Sequence, residues 1–147
     1  MREALEFLSL VSTGLFAGAA AYITFVEHPA RMSCGTQLAA TEFGPSYHRA
    51  TVMQASLAAR AVLTGVGTWL SGASIGWAAG AALIGAVIPI TLVIILPVNK
   101  RLLASELDKN STEARVLLEK WAKLHAVRTV LSVGAFFLFA YLLLHSL

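Results

Sequence analysis

Apolar residues fall along the chain in four runs, separated by two long polar links and one short one. A helix needs about 20 mostly apolar residues to cross a bilayer. The runs at 4–26, 51–70, 75–96 and 124–144 meet that requirement and predict four spans. The short link, LSGASIG, makes spans two and three an antiparallel hairpin. Each helix is expected to outlast its apolar run. Pro45 suits the first turn of the second helix. Asn110 and Glu113 have capping-box spacing, so the last helix is expected to run from about Ser111 to the C-terminus. The predicted fold is all-α: an integral membrane four-helix bundle, antiparallel and up-down, with helix extensions on the cytoplasmic side. It is a single domain over 1–147.

The first run resembles a signal peptide only in part. Its AGAAA at 17–21 offers small residues. However, Arg2 is offset by Glu3 and Glu6, and apolar character continues through Tyr22 and Val26, so an uncleaved span is expected. Gly14, Gly18, Gly65, Gly72, Gly76, Gly80 and Gly85, with many alanines, suit close helix packing in lipid.

Composition agrees with this pattern. The chain is 57% hydrophobic and 13% charged, about half the charge of a soluble domain. The net charge of +3 comes from basic residues beside the apolar runs, with no aromatic-basic interleaving, so no nucleic-acid partner is expected. Arg31, Arg49, Lys100, Arg101, Lys109, Arg115, Lys120 and Lys123 lie in the long links, against Arg2 on the other side. That bias predicts cytoplasmic long links and both termini outside. The lone cysteine, Cys34, allows neither an intrachain disulfide nor a thiolate cluster.

Ionisable groups at membrane depth are costly and ask for a reason. Glu27 and His28 close span one, His48 and Gln54 open the second helix, and Asn99 follows Pro97 at the end of span three. Trp121, His125 and Arg128 share one helix face at the start of span four. Antiparallel topology brings all of these to one cytoplasmic level. Arg60 lies deeper, on a face with Ser56 and Thr64. It calls for a counter-ion or a water-filled cavity; Glu27 is the candidate counter-ion, in competition with a Glu27–Arg128 pair. Plainer roles stand beside these. Trp121 and Tyr22 fit interface anchors, His48 and His145 fit solvated positions, Asn99 fits a helix-end cap, and His28 and His125 fit structural hydrogen bonds.

The segments FVEHPARM at 25–32, GPSYHRATVMQASLA at 44–58, PITLVIILPVNKRL at 89–102 and WAKLHAVRTVL at 121–131 resemble the anthrone oxygenase-like family of small four-span membrane proteins. The Pro-x-Asn-Lys pattern at 97–100 and the Trp-x3-His-x2-Arg pattern at 121–128 are its most specific parts. The resemblance implies a family some of whose members oxidise polyketide anthrones with dioxygen, without a well-established cofactor. It places the family pattern on Glu27, His28, Pro29, Asn99, Trp121, His125 and Arg128.

Three functions compete. In an enzyme, His125 with His28 or Glu27 acts as base and Arg128 with Asn99 stabilises a phenolate or peroxide. Trp121, Arg60, Gln54 and Tyr22 would bind the lipophilic substrate. In a metal or haem binder, His28, His48 and His125 supply the ligands. In a structural or small-molecule-binding protein, taking lipid or quinone, the polar groups only fix helix register. The lipid bilayer and a lipophilic small molecule are the expected partners, and a homo-oligomer is compatible with all three readings.

Overall fold

A computed structural model describes residues 1–145. The secondary structure of the described residues is helical throughout, in the order α1 (Arg2–Tyr22), a π-helical segment (Ile23–Glu27), α2 (His28–Ser33), α3 (Thr36–Leu70), α4 (Gly76–Pro89), a second π segment (Ile90–Ile95), α5 (Leu96–Leu102) and α6 (Thr112–Leu144). The first π segment joins α1 to α2 without a break, and the second joins α4 to α5. The chain therefore forms four rods. Each rod packs on two neighbours: α1 on α3 and α6, and α4 on α3 and α6. This is the expected four-helix bundle. The rods 2–33, 76–102 and 112–144 are long and apolar enough to cross a membrane, which marks an integral membrane protein. α3, which holds the second predicted span, is not among them; it carries Arg49 and Arg60.

The core is layered. At the terminal end, the Trp77 and Phe139 rings stack at 5.1 Å, beside Ala81. Glycines permit that layer: a Cβ on Gly80 would lie 2.3 Å from the Phe139 ring, and one on Gly65 3.1 Å from it. Gly18 and Gly72, expected as packing glycines, touch nothing a Cβ would disturb, and Gly72 serves instead a positive φ of 93° in the hairpin. The middle layer holds Phe16, Ala20, Leu57, Ala58, Ile84, Val87 and Ala135. The third layer, at the opposite end, gathers Ile23, Phe43, Ile95, Val98, Leu118 and Trp121.

Several local expectations are corrected. The second helix begins at Thr36, so Pro45 lies inside it rather than at its first turn. The first long link is hence no loop: only Cys34 and Gly35 separate α2 from α3, and Gly35 makes the turn with φ of 97°. α6 is capped by Ser111, whose Oγ accepts from the Ala114 amide at 3.1 Å. Asn110, the predicted cap, instead donates its backbone N–H to Asp108, and Glu113 pairs with Arg101 at 2.7 Å.

Both π segments end one residue before the residue that precedes a proline, His28 before Pro29 and Leu96 before Pro97. A helix-interior proline removes one amide donor, and its ring clashes with the carbonyl four residues back. The residue preceding each proline bonds five residues back, His28 to Ile23 and Leu96 to Thr91. The wider π turn accommodates the proline and rotates the helical residues beyond it. In consequence His28, Arg31 and Asn99 are buried.

Candidate functional site

A cavity of about 200 Å³ lies between the middle layer and the third. Phe16, Val87 and Ala58 line it from one side, and Ile23, Phe43 and Trp121 from the other. Its polar wall consists of Gln54, Tyr47 and Ser46 from α3, Asn99 from α5, His125 and Arg128 from α6, and Arg31 from α2. Thr51 and Ala55 on α3 and Ile88 and Leu92 on the α4 rod also line it and are exposed. The mouth therefore opens through the side of the bundle, between α3 and the second π segment. There the second π segment packs on α6, while α3 packs along α1 and α4.

The stripe on α6 has one buried edge. Trp121, His125 and Thr129 are all buried, at i, i+4 and i+8. The indole stacks on the His125 imidazole at 4.7 Å, lies 5.2 Å from the His28 ring and meets Phe43 edge-on at 5.3 Å. Trp121 is thus a packed wall of the cavity, not an interface anchor.

His125 Nδ1 lies 3.1 Å from Thr24 Oγ1, which lies 2.8 Å from Thr129 Oγ1, which in turn reaches the Ala20 carbonyl at 3.2 Å. A carbonyl only accepts, and each hydroxyl has a single proton. All three contacts are satisfied when Thr129 donates to Ala20, Thr24 donates to Thr129, and Nδ1–H donates to Thr24. This assignment comes from the network rather than from visible hydrogens. It leaves the Nε2 lone pair of His125 free, since the His125 ring bonds through Nδ1 alone among the described residues.

Arg128 donates to Gln54 Oε1 at 2.5 Å, and its guanidinium lies 5.5 Å from the centroid of the Phe16 ring. Neither contact neutralises its charge. Arg128 Nε, Gln54 Nε2 and Asn99 Oδ1 are buried without a hydrogen-bond partner among the described residues.

Glu27 pairs with neither Arg60 nor Arg128. Its carboxylate accepts from Arg31 at 2.5 Å and from Ser46 at 2.8 Å. Arg31 also pairs with Glu42 at 2.9 Å and lies 5.8 Å from the centroid of the Trp121 ring. The pairing of Glu27 with Arg31 across one helical turn explains the outcome, because i, i+4 neighbours meet without bending the chain. Arg31, expected as a topology charge in a loop, is 5% exposed and part of the cavity wall.

The structure thus brings together Gln54, Asn99, Trp121, His125 and Arg128. Glu27 and His28 stand behind that wall. Tyr22, His48 and Arg60 are exposed and lie outside the cavity. Arg60 faces away from the bundle because its neighbours Leu57, Ala61 and Thr64 take the inward face of α3. The three-histidine metal set does not form: His48 packs edge-on against Tyr47 at the surface, and among the described residues no three His, Cys, Asp or Glu side chains converge. Sequence reasoning missed Thr24, Thr129 and Arg31. The first two are hidden because threonine in an apolar run carries little signal; Arg31 has one in its spacing from Glu27.

A family model described as anthrone oxygenase matches residues 43–138, which include Gln54, Asn99, Trp121, His125 and Arg128. No curated protein and no solved structure matches the chain.

Proposed function

Because the chain belongs to the anthrone oxygenase family, we propose that its cavity binds a lipophilic phenolic or anthrone-like molecule and oxidises it with dioxygen. The observation that carries this reading is the apolar chamber with His125, Arg128 and Asn99 on one wall. His125 Nε2, left free by the Thr24 bond, takes a proton from the ring methylene. The resulting carbanion is an aryl-oxide in its other resonance form. Arg128 and the Asn99 amide stabilise that oxygen, in a setting where apolar walls strengthen each electrostatic contact. Dioxygen adds at the carbanionic carbon to give a peroxide anion, His125 returns its proton to form the hydroperoxide, and this loses water to leave a second carbonyl. The balance is one anthrone and one dioxygen to one anthraquinone and one water. Glu27 positions Arg31, and Trp121 holds the His125 ring.

The basic residues at the site end, among them Arg49, Lys100, Lys120 and Lys123, favour a cytoplasmic cavity level with both termini outside. A side mouth suits a substrate dissolved in lipid.

The test is turnover of a dihydroxyanthrone by protein in lipid nanodiscs, followed by dioxygen uptake and quinone absorbance. Wild type is expected to exceed spontaneous autoxidation clearly, and His125→Ala and Arg128→Ala to fall to the spontaneous rate. Folded variants with full turnover would sink the mechanism.

A further inference from the structure

The charges around the cavity do not balance. Two cations, Arg31 and Arg128, line it, and no carboxylate does. Arg31 is matched by Glu27 and Glu42. Arg128 has no ion pair among the described residues. The groups facing it are neutral: Gln54 and Tyr47 on α3, Phe16 on α1, Asn99 on α5 and His125 one turn back on its own helix.

A guanidinium in apolar surroundings is costly without a counter-ion. Gln54, 4% exposed, spends its oxygen on Arg128 and leaves its Nε2 without a partner. A glutamate at position 54 would have neutralised Arg128 internally, yet the chain keeps the neutral amide there. The cation and the unpartnered Gln54 N–H are therefore both donors directed at something the described residues do not supply.

We infer that the cavity takes its ligand as an aromatic anion, a flat apolar ring system carrying one negatively charged oxygen group that serves as the counter-ion of Arg128. This rests on the cavity assigned under the proposed function and deepens that reading: in turnover the anion is the aryl-oxide left when the methylene proton passes to His125, and a ligand that is already ionised binds in the same place. It requires no turnover. The anionic oxygen accepts from the guanidinium and the Gln54 amide, and the ring lies among Phe16, Val87 and Leu96. Charge-assisted hydrogen bonds of this kind are about twice as strong as neutral ones. A neutral molecule of the same shape keeps the apolar contacts and loses these.

The experiment is calorimetric titration of the full chain in zwitterionic nanodiscs, above neutral pH, with empty nanodiscs as blank. The probes are an anthracenecarboxylate and the matching neutral anthracenemethanol. Wild type is expected to bind the carboxylate about tenfold or more tighter than the carbinol. Arg128→Gln is expected to bring the two affinities within about twofold of each other. Gln54→Glu, which places the counter-ion within the protein and keeps Arg128 paired in the fold, is expected to do the same. Equal binding of the two probes by wild type overturns the inference, as does a preference that survives in Gln54→Glu. Anion binding without dioxygen uptake discards the oxygenase reading and leaves this one standing.

Discussion

Thr24 Oγ1 lies between His125 Nδ1 and Thr129 Oγ1, at 3.1 and 2.8 Å, and so joins the first rod of the bundle to the last. If this hydroxyl fixes the imidazole tautomer, Thr24→Val leaves the ring in place but frees it to hold its proton on Nε2. Anthrone turnover is expected to fall about ten- to a hundredfold in kcat, with KM little changed, and Thr24→Ser to restore it. Steady-state dioxygen uptake checks this. A Val variant with unaltered kcat would leave the hydroxyl a packing role only.

Arg31 joins α2 to α3 through Glu27 and Glu42 and covers the Trp121 face. Arg31→Met is expected to lower stability by about 2 kcal/mol, less than for a fully buried pair because Glu42 is 41% exposed in its side chain. Arg31→Lys is expected to recover part of the loss, since an ammonium keeps the charge but lacks the planar fork with which the guanidinium spans both carboxylates. Thermal unfolding in detergent measures both.

Gly80 is the tightest approach in the bundle, with space for hydrogen only against Phe139. Gly80→Ala is expected to cost about 1–3 kcal/mol through overpacking, despite the better helix propensity of alanine. Gly18→Ala, where a Cβ meets nothing, is the control expected to leave the unfolding temperature unchanged or raise it.

Arg60 sits on the outward face of α3 without an ion pair among the described residues. Arg60→Leu is expected to leave anthrone turnover as it is and to hold or raise the unfolding temperature. A loss of activity would place Arg60 in the path of the substrate.

Much of this architecture is legible in the sequence. The four rods come directly from the apolar runs, and their alternation alone gathers Gln54, Asn99, Trp121, His125 and Arg128 at one level. What the sequence conceals is rotation. A helix bathed in hydrocarbon is apolar on its outer face too, so periodicity does not reveal which side of α3 faces inward, and Arg60 reads as an inward residue when it is an outward one. The π turns before Pro29 and Pro97 add a second uncertainty. They reset the helical phase just ahead of Arg31 and Asn99, which is why a residue that reads as a loop charge is buried beneath an indole. The start of α3 at Thr36 is concealed for a related reason: a proline signals the first turn of a helix, yet Pro45 is tolerated in mid-course.

The cavity mouth between α3 and the second π segment has a kinetic consequence. If the substrate is lipophilic, as proposed, a molecule entering there is drawn from the hydrocarbon rather than from water, and saturation depends on its mole fraction in the lipid. Doubling the lipid at fixed substrate should halve the effective dose, and an apparent KM quoted in bulk units would change with every preparation. A flat, poorly soluble product of the proposed oxidation would leave by partitioning back along the same route, so the membrane would act as both reservoir and sink.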